Sequence, residues 1–118
     1  YRSPELLLSE STYGLGVDMW SVGCIFGELL SGKPLFRAGS YVLMLHGIQA
    51  LVGSPRSEDL GFVGNAKSLR FLAGLPRCEP ANFAAVFPTA PPAALDLLRR
   101  MLTFDPRARV TAAEALAH

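Results

Sequence analysis

Two carboxylates interrupt the most apolar stretch of this chain. In GVDMWSVGCIFGELLSG, residues 16–32, Asp18 falls in the first turn of what reads as a core helix, Glu28 lies near its end, and Trp20 stands close to Asp18. A carboxylate buried without donors is strongly unfavourable. Asp18 therefore either meets hydrogen-bond donors from elsewhere or simply sits where a helix dipole favours an acid, an effect of about 0.3–1 kcal/mol. The other reactive residue types form no complete chemistry. Gly14 and Gly16 lack the lysine and the following Ser/Thr that a phosphate-binding loop requires. Two histidines, one of them terminal, cannot supply a Ser-His-Asp arrangement, and His46, inside an apolar helical pattern, reads as a packed or surface residue. Cys24 and Cys78 have neither CxxC spacing nor a histidine cluster, so they read as small hydrophobes, which fits a reducing, intracellular compartment.

The elements that must position these residues read as helix, loop, helix throughout. SPELLL predicts a short helix with Pro4 early, where a missing N–H matters least. STYGLG is a loop, and the long apolar helix follows from about Val17 to Leu30, stopped by Gly32 and Pro34. SYVLMLHGIQALVG has apolar residues at 42, 43, 45, 48, 51 and 52, a helical spacing closed by Gly53. Residues 57–75 predict two short helices joined near Gly64, and Pro76 to Pro92 a proline-rich loop region. PAALDLLRRML places Leu95, Leu98, Met101 and Leu102 on one face, with Arg99 and Arg100 away from it. Thr111 and Glu114 have the spacing of a capping box.

Half of the 118 residues are apolar, which suits one domain, and 11 basic residues against 10 acidic ones imply no broad polyanion-binding field. Neither nucleic acid nor a membrane is an expected partner, and the apolar run Met19–Leu30 is shorter than the roughly 20 residues of a bilayer span. The chain opens at YRSPELLL without a methionine and breaks off inside a helical pattern at EALAH. Both ends are expected to be cuts in a longer chain.

Four stretches occur together and in order: YRSPELLL at 1–8, VDMWSVGCIFGELLSGKPLF at 17–36, LVGSPRSEDLGF at 51–62, and DLLRRMLTFDPRARVTAAEALAH at 96–118. Together they resemble the C-terminal lobe of eukaryotic protein kinases, from the end of the activation segment to near the last kinase-domain helix. NAKSLRFLAGLP and the segment after it are similar to the insert of the mitogen-activated protein kinases, at about 53–90. The resemblance covers essentially the whole chain. It implies a mainly α fold, the large lobe without the N-terminal β lobe.

The resemblance also implies roles. Asp18 would accept hydrogen bonds from backbone N–H groups of a catalytic loop, and Glu5 would pair with Arg109; the local alternatives are a dipole-favoured acid and two solvated charges. Tyr1 would line the pocket for the substrate residue after the phosphoacceptor, and Arg2 would contact an activating phosphotyrosine, a use suited to guanidinium. The alternatives are an ordinary buried aromatic and a surface cation. Leu8, Tyr41, Val42, Leu45 and Phe71 match a docking groove for aromatic-containing peptides, or else an interior face where helices meet. Phe71 stands where some relatives have tyrosine, and Ser3 where alanine is most common in the subfamily.

The implied activity is transfer of the ATP γ-phosphoryl group to protein Ser/Thr followed by Pro. The intact parent would use ATP and Mg²⁺, neither bound by residues of this segment, which supplies no catalytic residue and is expected to be inactive alone. Protein substrates, docking peptides and an upstream dual-specificity kinase are the implied partners, and cytoplasm with access to the nucleus the implied location. The rival reading is a non-catalytic pseudokinase or truncated lobe that only docks partners.

Overall fold

A computed structural model describes residues 1–8, 14–37 and 39–118. Seven α-helices are present among them: α1 Pro4–Leu8, α2 Leu15–Ser31, α3 Tyr41–Val52, α4 Ala66–Ala73, α5 Phe83–Val86, α6 Pro92–Met101 and α7 Ala112–Ala117. A 3-10 turn, Ser57–Leu60, lies between α3 and α4, and the described residues contain no strand. The mainly α architecture is that expected. Residues 11–13 of the expected STYGLG loop lie outside the described residues.

α2 is the spine of the fold. Trp20 and Cys24 are fully buried on one side of it, packed with Leu98 and Leu102 of the α6 region in one core. The helices approach closely because α2 has glycine at the crossing: a Cβ on Gly23 would stand 2.8 Å from Met101 Cβ. The helix ends where Gly32 takes the left-handed conformation, φ 75°, and its N–H donates to the Glu28 carbonyl at 2.7 Å. α2 starts two positions before the expected Val17. Leu15 is 88% exposed, so the apolar pattern that marks the helix interior could not register it.

α3 is capped by Ser40, whose Oγ accepts from the Leu43 N–H at 3.2 Å, and it buries Leu45 and Ile48. Asn65 caps α4 in the same way, accepting from Lys67 N–H at 2.8 Å. α6 buries the predicted face, Leu95, Leu98 and Met101, with Leu102 just beyond its end. The α7 capping box is complete: Thr111 Oγ1 accepts from Glu114 N–H at 3.2 Å, and Glu114 Oε1 from Thr111 N–H at 3.0 Å.

One helix was not anticipated. The proline-rich region contains the single turn α5, set by Asn82 Oδ1 accepting from Ala84 N–H at 3.0 Å. It buries Phe83 against Phe87, ring centroids 5.8 Å apart. Four residues are too few for a 3.6-residue period to be read, so only the asparagine cap could have signalled it.

Candidate functional site

Among the described residues, the Arg109 guanidinium is the most fully hydrogen-bonded side chain. The loop after α6 carries it under α2, where its Nη1 donates to Glu5 Oε2 at 2.7 Å and to the Gly16 carbonyl at 2.7 Å. Its Nη2 donates to Glu5 Oε1 at 3.0 Å and to the Phe104 carbonyl at 3.1 Å, and Nε donates to the Thr103 carbonyl at 2.9 Å. All five N–H donors of the side chain are thereby used. The guanidinium also lies 5.1 Å from the centre of the Trp20 ring. Glu5 is 1% exposed and Arg109 4%. The structure brings these two residues together, and it adds Trp20, Gly16 and two loop carbonyls that the sequence reading had not connected to them.

Next to this clamp lies the loop that holds Arg109. Asp105 Oδ1 accepts from Arg107 N–H at 2.9 Å and from Nε at 3.0 Å, while Oδ2 accepts from Nη2 at 2.8 Å. Burial pulls the Asp105 carboxyl upward, but the Arg107 bonds outweigh it and leave the group below its usual range. The arrangement pins the turn from which Arg109 projects.

Tyr1 forms a second junction. Its hydroxyl donates to Glu28 Oε1 and accepts from Leu35 N–H at 3.0 Å, and its ring meets Phe36 edge-on at 6.1 Å. Ser21 Oγ donates to its carbonyl at 3.2 Å. Phe36 in turn stacks on Trp20, centroids 6.2 Å apart, so Tyr1 is coupled to the α2 core. Burial, then the Glu28 hydrogen bond, pushes the Tyr1 phenol above its usual pKa. The second carboxylate of the apolar helix thus has a partner, which nothing in the spacing could have revealed. Tyr1, 40% exposed, and Arg2 line a cleft of 430 Å³ together with Leu7, Ser40, Tyr41 and Met44. Cys24, fully buried in the core, behaves as a hydrophobe, and burial pushes its thiol up to about 12.

Asp18 is exposed. It stands in a stripe of α2 made by Leu15, Asp18, Val22, Ile25 and Leu29, a spacing that puts all five on one helix face. The apolar members of this stripe are exposed, from 47% at Val22 to 88% at Leu15. The N-terminal half of the stripe and the segment Pro106–Ala112 enclose a trough of 330 Å³, with Asp18 and Arg109 in its lining.

The five candidate groove residues divide. Leu8 and Leu45 are buried, 2% and 0% exposed, where α1 meets α3, and Ser68 Oγ donates to the Leu8 carbonyl at 2.9 Å. Tyr41 and Val42 face outward, with Tyr41 tilted against half-buried Phe71 at 6.2 Å. Leu8 and Leu45 can form only a floor beneath such a groove.

Among the described residues, no three His, Cys, Asp or Glu side chains come together as a metal donor set, and Asp18 stands alone in an apolar stripe. No step through the nucleotide is derived from these residues.

Comparison with known proteins gives a consistent likeness. A family profile described as "Protein kinase domain" matches residues 1–118. The whole chain is 44% identical to mitogen-activated protein kinase 5 of Oryza sativa subsp. indica, covering 32% of that protein. It is 47% identical to mitogen-activated protein kinase MKC1 of Candida albicans, covering 24% of it, and 48% identical to mitogen-activated protein kinase 11 of Arabidopsis thaliana, covering 32%. The chain thus spans about a third or less of the relatives it matches.

Proposed function

Because the chain belongs to the protein kinase family, we propose that its parent is a mitogen-activated-type serine/threonine kinase and that these residues are its substrate-side scaffold. The observation that carries this reading is the end-to-end likeness to mitogen-activated protein kinases. The parent transfers the ATP γ-phosphoryl group to protein Ser/Thr followed by Pro. ATP, Mg²⁺ and the catalytic base belong to parts of the parent outside Tyr1–His118.

Within that scaffold each residue has a task. Asp18 takes backbone N–H groups of the catalytic loop, and the exposed α2 stripe around it gives the loop and its flanking helix an apolar seat. The Arg109–Glu5 clamp ties the activation-segment end to the loop before α7, so that Tyr1 and Arg2 hold a fixed position over the 430 Å³ cleft. Tyr1 walls the pocket for the residue after the phosphoacceptor, and Arg2 grips an activating phosphotyrosine. Tyr41, Val42 and Phe71 offer the docking surface, with Leu8 and Leu45 beneath. Such a kinase acts in cytoplasm and nucleus, on protein substrates, below a dual-specificity kinase.

Reading the coding sequence upstream of Tyr1 tests this. A β-strand lysine, His-Arg-Asp, Asp-Phe-Gly and Thr-x-Tyr in frame are expected. A catalytic loop lacking its aspartate would leave the rival reading, a docking module without phosphoryl transfer.

A further inference from the structure

Glu28 has a contact for which the scaffold reading names no task. It lies in the last turn of α2, whose sequence around it, IFGELL, is otherwise apolar. Half-buried there, it accepts a hydrogen bond from the Tyr1 hydroxyl and enters no ion pair among the described residues. A partly buried carboxylate on an apolar helix needs a donor, and the phenol supplies one.

The other side of the same hydroxyl is held as well. Leu35 N–H donates to the Tyr1 oxygen at 3.0 Å. The Leu35 side chain folds over α2 at Gly27, where an added Cβ would stand 2.9 Å from its Cδ2. Phe36, next in the chain, meets the Tyr1 ring edge-on and stacks on fully buried Trp20. The ring is thus fixed at its tip by a donor and an acceptor, and along its side by an aromatic neighbour. Tyr1 borders the 430 Å³ cleft, whereas neither Glu28 nor Leu35 lines it. Whatever Glu28 does for that cleft, it does through Tyr1.

The geometry points to Glu28 as a positioning residue: by holding the Tyr1 hydroxyl it fixes the wall against which the residue after the phosphoacceptor packs, and so sets the preference for proline there. The inference rests on the reading of Tyr1 as that wall. A phenol deprived of its acceptor is free to turn between side-chain rotamers. A wall that moves no longer distinguishes a rigid ring from a smaller side chain, because such discrimination depends on fixed pocket contacts.

The test is steady-state phosphorylation, by the intact parent, of two peptides that differ only in Pro or Ala after the phosphoacceptor. The ratio of their kcat/KM values does not depend on how much of a variant is folded. Glu28→Ala should lower the Pro-over-Ala ratio about tenfold, through KM for the Pro peptide, with kcat changed by less than about twofold. Glu28→Gln still accepts from the phenol and should hold the ratio within about twofold of wild type. Tyr1→Phe keeps the ring and loses only the hydroxyl, so it reads the same contact even if Glu28→Ala does not fold. It should match Glu28→Ala, and the double variant should lose no more than either alone. The inference is overturned if Glu28→Ala and Tyr1→Phe keep the wild-type ratio, if they slow both peptides alike, or if the double variant loses the product of the two single effects. A wild-type parent that takes both peptides equally instead overturns the reading of Tyr1 as the pocket wall, and this inference with it.

Discussion

Glu5 and Arg109, 104 positions apart, meet in the interior as a two-bond carboxylate–guanidinium pair with donor–acceptor distances of 2.7 and 3.0 Å. The pair joins the first helix to the last loop, and the same guanidinium holds Gly16, Thr103 and Phe104 by their carbonyls. Such a pair adds little net stability over an apolar substitute, but stripping one partner leaves a buried charge unmet. Glu5→Ala should therefore lower unfolding free energy by about 3–5 kcal/mol. Glu58→Ala, which removes an exposed partner of Arg56, should change it by less than about 0.5 kcal/mol. Paired urea titrations of the two variants check this; equal shifts would refute the clamp.

Lysine cannot replace the arginine. It offers three donors from a point, whereas five acceptors surround the planar fork here, and it would forfeit the planar group that lies 5.1 Å from the Trp20 ring centre. Arg109→Lys should lose most of what Arg109→Ala loses, measured as matched melting temperatures.

Acid should loosen the loop that presents Arg109. Asp105 titrates below its usual value in the folded chain, so its contribution is present above the unfolded pKa of about 3.9 and is lost as pH falls through the lower folded value. Wild type should lose stability below about pH 4, and Asp105→Asn should be less stable at neutral pH but flatter across that acid limb. Unfolding midpoints measured from neutral pH downward supply the comparison.

Tyr1 should ionise late. With its phenol raised by burial and by Glu28, the protonated form is favoured on folding, so this contribution is present below a pH of about 10 and lost as pH rises through the folded value. In an ultraviolet titration, Tyr1→Phe should remove a tyrosinate step that lies above pH 10. Glu28→Gln should move that step downward.

Much of this was legible in the chain, for reasons that differ by residue. The α6 face and the Thr111–Glu114 box are local, set by residues within a turn of one another, and local spacing suffices to read them. The Glu5–Arg109 pair is not local; only the likeness of YRSPELLL and DPRAR to known segments pointed to it. Tyr1–Glu28 escaped because neither the helical period nor that likeness connects position 1 with position 28. The α2 stripe misled in another way. Val22, Ile25 and Leu29 read as core, yet they are 47–78% exposed, because sequence records that a residue is apolar and not whether anything packs over it.

The proposed scaffold serves a kinase whose chemistry lies elsewhere in the parent. The most direct measurement is phosphoryl transfer from radiolabelled ATP with Mg²⁺ to a protein carrying Ser-Pro or Thr-Pro, run in parallel on the intact parent, on the parent with Asp18→Ala, and on the 118-residue chain. Turnover by the phosphorylated parent is expected, with a large fall in kcat for Asp18→Ala and no turnover from the 118-residue chain. Turnover by the 118-residue chain, or a parent whose rate ignores Asp18→Ala, would contradict it.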